Sequence, residues 1–266
     1  MRVVVLAALT TLITAATMST AWAAGTRVFG HDISYPQCNV APPTDGTFGI
    51  VGINNGHPFS ANPCLTRQYR WAAATPSGAS VYVNTANPAP SSPFYWPATG
   101  AKDPALCADS RSTTDPGCAY DYGWHAGADT LARARTANSA VAGVHWWLDV
   151  ETRNAWHGDG VSNTAVLQGM YDYLRSHGVT RIGLYSTPFQ WKRITGGYAG
   201  SSAASYKAAW RKEFAANHAL YALPLWIATS GNSTTALTAC AASFTGARTE
   251  MVQYTDAHGF DTNIIC

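Results

Sequence analysis

The chain has 266 residues, 47% of them hydrophobic and only 12% charged, with 17 Lys plus Arg against 15 Asp plus Glu. A formal net charge of +2, with no block of like charge and no basic helix face, excludes the electrostatic footprint of a nucleic-acid binder. The length exceeds that of most two-layer modules and suits one α/β barrel or two small domains, and no Ser/Gly-rich linker or repeat supports two.

Residues 1–23 carry a lone Arg2, an apolar run relieved by threonines, and the small residues of Ala21-Trp22-Ala23. This pattern reads as a secretory signal peptide cut after Ala23. A retained membrane anchor is the alternative, but Thr10, Thr11, Thr14, Thr17, Ser19 and Thr20 interrupt the run, and no later segment could span a bilayer. Residues 24–266 are therefore expected to form one secreted domain, a monomer with no stable membrane association. An even count of six cysteines in an exported chain favours disulfides over metal or redox use. Among the pairings six cysteines allow, their local spacing suggests Cys38–Cys64, Cys107–Cys118 and Cys240–Cys266. The eight histidines are scattered, and neither a metal nor a cofactor is expected.

In chain order, β-branched or aromatic runs fall at 27–34, 47–54, 79–85, 144–151, 181–187, 223–229, 250–256 and 259–264. A long loop runs from Thr85 to Gly117, either a rim over the groove with Tyr95 and Trp96 as candidates for stacking on a sugar face, or an ordered surface excursion clipped by Cys107 and Cys118. The clearest helix starts at Ser162, with Ser162 or Asn163 as cap, Val166, Met170 and Leu174 at four-residue intervals, and Gly178 as its stop. Strand then helix, repeated eight times, predicts a single TIM-like (β/α) barrel, irregular at the long disulfide-clipped loop after the third strand. An open doubly wound sheet would announce a glycine-rich phosphate loop after its first strand, and this chain has none.

In a parallel barrel the active site lies at the C-terminal ends of the strands. Those ends here are acidic and amidic: Asp32, Asn54, Asn55, Asn84, Asp149, Glu151, Tyr185, Ser186, Trp226, Gln253, Tyr254, Asp256 and Asp261. With no cation among them, they suit a neutral polyhydroxylated ligand better than an anion, which would call for Arg, Lys or a helix N-terminus. Asp149 and Glu151 are two apart, so they leave the fourth strand on one face, above His145 and Trp147. Val144, Trp146, Leu148 and Val150 then pack outward. Two carboxyls held together raise one another's pKa, leaving one protonated as acid and one ionised, the division of labour that glycoside cleavage needs. The competing reading is a structural bridge from one carboxylate to a buried arginine.

The quoted runs "GHDIS", "LDVE", "GLYSTPFQW", "PLWIA", "VQYT" and "FDTN", in this order from Val28 to Cys266, resemble the strand-end motifs of glycoside hydrolase family 25. These are secreted muramidase-type lysozymes on an irregular α/β barrel, and the chain reads as a divergent member. The resemblance implies Glu151 as proton donor, and Asp149 as the partner that steadies the substrate's acetamido group or acts as base. Asp32 and Asp261 match two further acids at the base of the groove. Tyr185, Trp226, Gln253, Asn54 and Trp147 are the expected substrate contacts, and the expected partner is a polysaccharide, peptidoglycan first. Two strand ends depart from the family. "GINNGHPF" places Asn54 and Asn55 where charged residues are usual, and "VYVNTANP" replaces a Tyr-His-Phe-like stretch. A catalytically silent carbohydrate-binding barrel, or a glycosidase acting on another N-acetylhexosamine polymer such as chitin, are the alternatives. No G-x-S-x-G, H-E-x-x-H, P-loop or C-x-x-C motif supports other chemistry.

Overall fold

A computed structural model describes residues 28–91, 95–97, 106–210, 220–256 and 259–266. The expected signal peptide lies outside the described residues. Eight strands close in sequence order into one barrel: β1 (Phe29–Ile33), β2 (Phe48–Gly52), β3 (Ala79–Asn84), β4 (His145–Asp149), β5 (Arg181–Ser186), β6 (Leu225–Ala228), β7 (Thr249–Thr255) and β8 (Asp261–Ile265). The main helices outside it are α1 (Leu65–Ala73), α2 (Pro116–Ala137), α3 (Gly160–Ser176), α4 (Pro188–Thr195), α5 (Ala203–Ala209) and α6 (Ser233–Thr238).

Neighbours from β1 to β7 are parallel, whereas β8 is antiparallel to both β7 and β1. The all-parallel expectation fails at this one strand. Only residues 256–260 separate β7 from β8, too few for a crossover helix, so the chain must turn back as a hairpin. As a result the first residue of β8, Asp261, reaches the barrel mouth in register with Asp32 and Thr255.

Period-two alternation divides the barrel wall into two cores. Trp146, Leu148 and Val150 face outward into a core shared with Val81, Val83, Val166, Met170 and Leu174. Phe48, Ile50, Trp147, Tyr185, Trp226 and Met251 pack inside the barrel. The outer layer is tightest where α2 meets α3. A Cβ on Gly123 would lie 2.0 Å from the Val166 carbonyl oxygen, and one on Gly169 would lie 2.1 Å from that of Tyr120. Glycine at both places lets the two helix backbones touch.

Helix α3 begins before the expected cap. The Asp159 carboxylate accepts from the Ser162 N–H at 2.8 Å, supplying the acceptor that the first turn needs, while Ser162 and Asn163 are buried inside the helix. Gly178 takes a left-handed φ of 93° just past its end, the conformation that stops a helix most cheaply in glycine.

All three disulfides are as the spacing suggests. Within the long loop, Trp96 is 6% exposed, packs against Tyr122 and donates from Nε1 to the Ser110 carbonyl at 2.9 Å. Tyr95 stacks on Phe59 with ring centroids 4.2 Å apart. A tryptophan in a disulfide-clipped loop gains more by covering α2 than by facing water. Among the described residues, no helix is long and apolar enough to cross a membrane.

Candidate active site

The barrel mouth holds a cavity of about 230 Å³. All four expected acids line it, Asp32 from β1, Asp149 from the end of β4, Glu151 two residues beyond and Asp261 from β8, together with Tyr185, Trp226 and Gln253. The other two expected contacts lie elsewhere. Asn54 is buried behind the rim, where its carboxamide donates to the Asn84 carbonyl (3.0 Å) and accepts from the Asn84 N–H (3.2 Å). Trp147 sits one layer down, stacked on His145 (4.1 Å between centroids) and edge-on to Trp226 (5.7 Å). It lines a separate cavity at the opposite end of the barrel.

Sequence reasoning missed several members of the lining. Tyr82 enters from β3 beside the expected strand end Asn84, Tyr35 from the turn after β1, and Arg153 from the turn after β4. The signal for Tyr82 was available, since it stands two before Asn84 and so shares its face. Arg153 corrects the reading of a mouth without cations. It follows Glu151 by two residues, past the end of the strand, where alternation no longer says which way a side chain points.

The base of the cavity is a chain of amides and acids. Tyr185 donates to Gln253 Oε1 (2.7 Å), and Gln253 Nε2 and Asn263 Nδ2 both donate to Asp32 Oδ1 (2.9 and 2.7 Å). Burial, then the charge of Asp261, nevertheless pushes Asp32 up to about 7, with the two amides opposing. Asp261 is raised by burial and held back by its hydrogen bond from Thr255.

Asp149 and Glu151 are both raised, in each case by burial first. For Asp149 the charge of Glu151 adds to this and Arg153 opposes it; for Glu151 the opposing groups are Arg153 and Gln190. The two carboxyls interact directly, in a sense that raises Asp149 and lowers Glu151, so they titrate as a pair. Asn84 Nδ2 donates to Asp149 Oδ2. Asp149 Oδ1 and Trp226 Nε1, both buried, have no hydrogen-bond donor or acceptor opposite them among the described residues. Among the described residues, no Lys or Arg nitrogen lies within 4.0 Å of any of the four acids. The structural-bridge reading therefore has no partner to rest on among the described residues. Such a site can deliver a proton and stabilise developing positive charge in one small volume.

The architecture is similar to that of several solved structures. The family GH25 lysozyme from Aspergillus fumigatus matches with a TM-score of 0.51 at 14% identity, over 91% of this chain and 94% of that one. The muramidase from Acremonium alcalophilum gives 0.50 at 16% identity, over 90% and 94%. The spore cortex lytic enzyme SleM of Clostridium perfringens gives 0.54 at 14%, over 90% and 67%. The fold is that of the family 25 lysozymes. Within this lysozyme-like barrel, residues 128–214 match a family model described as "Lysozyme-like protein 1", a stretch that includes β4, Asp149 and Glu151. Over 56 residues the chain is 43% identical to the probable GH family 25 lysozyme 4 of Dictyostelium discoideum, covering 21% of this chain and a quarter (25%) of that protein's length.

Proposed function

We propose that the protein is a secreted glycoside hydrolase of the muramidase type, cutting β-1,4 bonds of peptidoglycan. The observation that carries this reading is the Asp149–Glu151 pair in the barrel mouth, one carboxyl buried and one half-buried, both raised, with no Lys or Arg within ion-pair distance among the described residues. Glu151, half-exposed at the rim, protonates the leaving glycosidic oxygen. Asp149, deeper and fully buried, is ionised when Glu151 holds the proton, and either orients the acetamido group or activates water. Asp32 and Asp261 keep the base of the groove acidic, and Tyr185, Trp226 and Gln253 contact the sugar. The lysozyme and muramidase names of the similar proteins support the substrate class. Export by the signal peptide at residues 1–23 agrees with three disulfides, which persist in oxidising compartments.

Mass spectrometry of products from defined peptidoglycan and chitin oligomers tests bond and substrate together; muropeptides with a reducing N-acetylmuramic end are expected. A carbohydrate-binding barrel without catalysis is the second reading, favoured by the use of Asn54 as a backbone clamp in place of a rim contact. Retention on bacterial cell walls without clearing in zymograms, across a range of pH, would establish that reading instead.

A further inference from the structure

Two neighbouring carboxyls with raised pKa values do catalytic work only when the proton sits on the right one. Burial favours Asp149, which is 2% exposed, as its holder, whereas the reading above needs it on Glu151. Among the described residues the Asp149 carboxyl receives one amide donor, and it comes from Asn84.

Asn84 is held in place on several sides. It ends β3 directly opposite Asp149, and its peptide is gripped at N–H and carbonyl by the Asn54 carboxamide. The next residue, Thr85, donates from both N and Oγ1 to the Asp149 carbonyl, at 3.0 and 2.6 Å. The amide therefore approaches Oδ2 from a fixed frame. An N–H aimed at a carboxyl oxygen favours the ionised form over the neutral one.

Resting on the proposed function, we propose that Asn84, clamped by Asn54, is the positioning residue that assigns the proton: it holds Asp149 as acceptor and leaves the transferable proton to Glu151. The other charged or titratable groups facing Asp149 are Asp32 from β1, Tyr82 from β3, Glu151 and Arg153 beyond β4, and Tyr185 from β5. None of them is altered when Asn84 is changed. This gives the departure at the third strand a role in the chemistry rather than in sugar selection.

The test compares Asn84→Ala and Asn84→Leu, which is close in size and also lacks the N–H donor, with the parent. With cell-wall glycan as substrate, kcat should fall about tenfold and KM change by less than about twofold, while the acid limb of the pH profile moves up by about one unit. Asn54→Ala should shift the limb in the same direction by less. Carbon-13 NMR of the aspartate carboxyls, with the Asp149 signal assigned by Asp149→Asn, reads the same effect without substrate: its titration midpoint should rise by about one unit in Asn84→Ala. An unchanged Asp149 midpoint in both Asn84 variants overturns the assignment whether or not the parent cleaves glycan. Failure of the parent to cleave any glycan, with the midpoint shifted as expected, counts against the hydrolase reading alone.

Discussion

The two ends of the barrel bury ionisable groups equally thoroughly and to opposite effect. At the mouth, burial and mutual repulsion raise Asp32, Asp149, Glu151 and Asp261. At the opposite end, His145 lies in a cavity of about 300 Å³ with Phe48, Ile50, Trp147 and Met251, and burial, then the charge of Arg181, lowers it to about 4. Desolvation disfavours whichever form is charged, so the acids tend to keep protons and the histidine to lose one. The mouth differs in that its groups are coupled. The charge of Glu151 adds to the burial of Asp149 there, whereas His145 Nε2 is buried with no partner among the described residues. Burial perturbs a group, and a neighbour of matching chemistry makes that perturbation usable.

The largest effect separating the two ends should come from Glu151→Gln. It keeps the shape and removes the transferable proton, so turnover should fall by about a hundredfold or more while binding to cell walls persists. Measured by zymography beside a pull-down, full activity in this variant would remove "LDVE" as the catalytic strand.

The next contrast is in stability against pH. Asp32 has a folded pKa near 7 against a reference of 3.8, so between these values the folded state binds more protons than the unfolded state. Its contribution is fully present below about pH 4 and declines as pH rises toward 7. Thermal melts of Asp32→Asn should show a flatter slope than the parent over this window, with the variant's relative stability improving toward pH 7. His145, at about 4 against 6.5, has the opposite sign: its contribution is present above pH 6.5 and lost as pH falls toward 4. Melts of His145→Phe should gain on the parent toward pH 4, with activity at neutral pH little changed. Parallel slopes for the two variants would refute the opposition between the ends.

The smallest effect is expected from Glu250→Gln. Glu250 lines the lower cavity, at the far end of the barrel from the acids of the mouth. Its loss should leave kcat/KM within about twofold, in keeping with a surface substitution away from the chemistry.

How much of this was legible before the fold was known varies from residue to residue. The inward set of β4 followed from alternation alone, because the strand period of two leaves no freedom once one face is known to be apolar. Asp149, Glu151, Asp32, Tyr185, Trp226 and Gln253 were found from strand ends for the same reason. Asn54, just past β2, and Trp147, within β4, were also expected at the mouth, yet Asn54 is buried against the Asn84 backbone and Trp147 lines the opposite cavity: alternation says which face a side chain leaves from, and the layer it reaches depends on its height along the barrel. For Trp96 the sequence left both a sugar platform and an ordered surface loop open, because loop composition does not say which aromatic has a partner waiting on α2.

The sequence by itself determined the eight runs, the two-faced wall, the local disulfides and the acid pair, all of them properties carried by short spacings. Only the tertiary structure decided the rest. Asp261 begins its strand and reaches the mouth because β8 runs backwards in the hairpin after β7. Arg153 comes back over the cavity from a turn, and Asn84 faces Asp149 because β3 and β4 are in that register. Each of these depends on contacts between residues far apart in the chain or on the path of a turn, which a local pattern of apolar and polar residues does not encode.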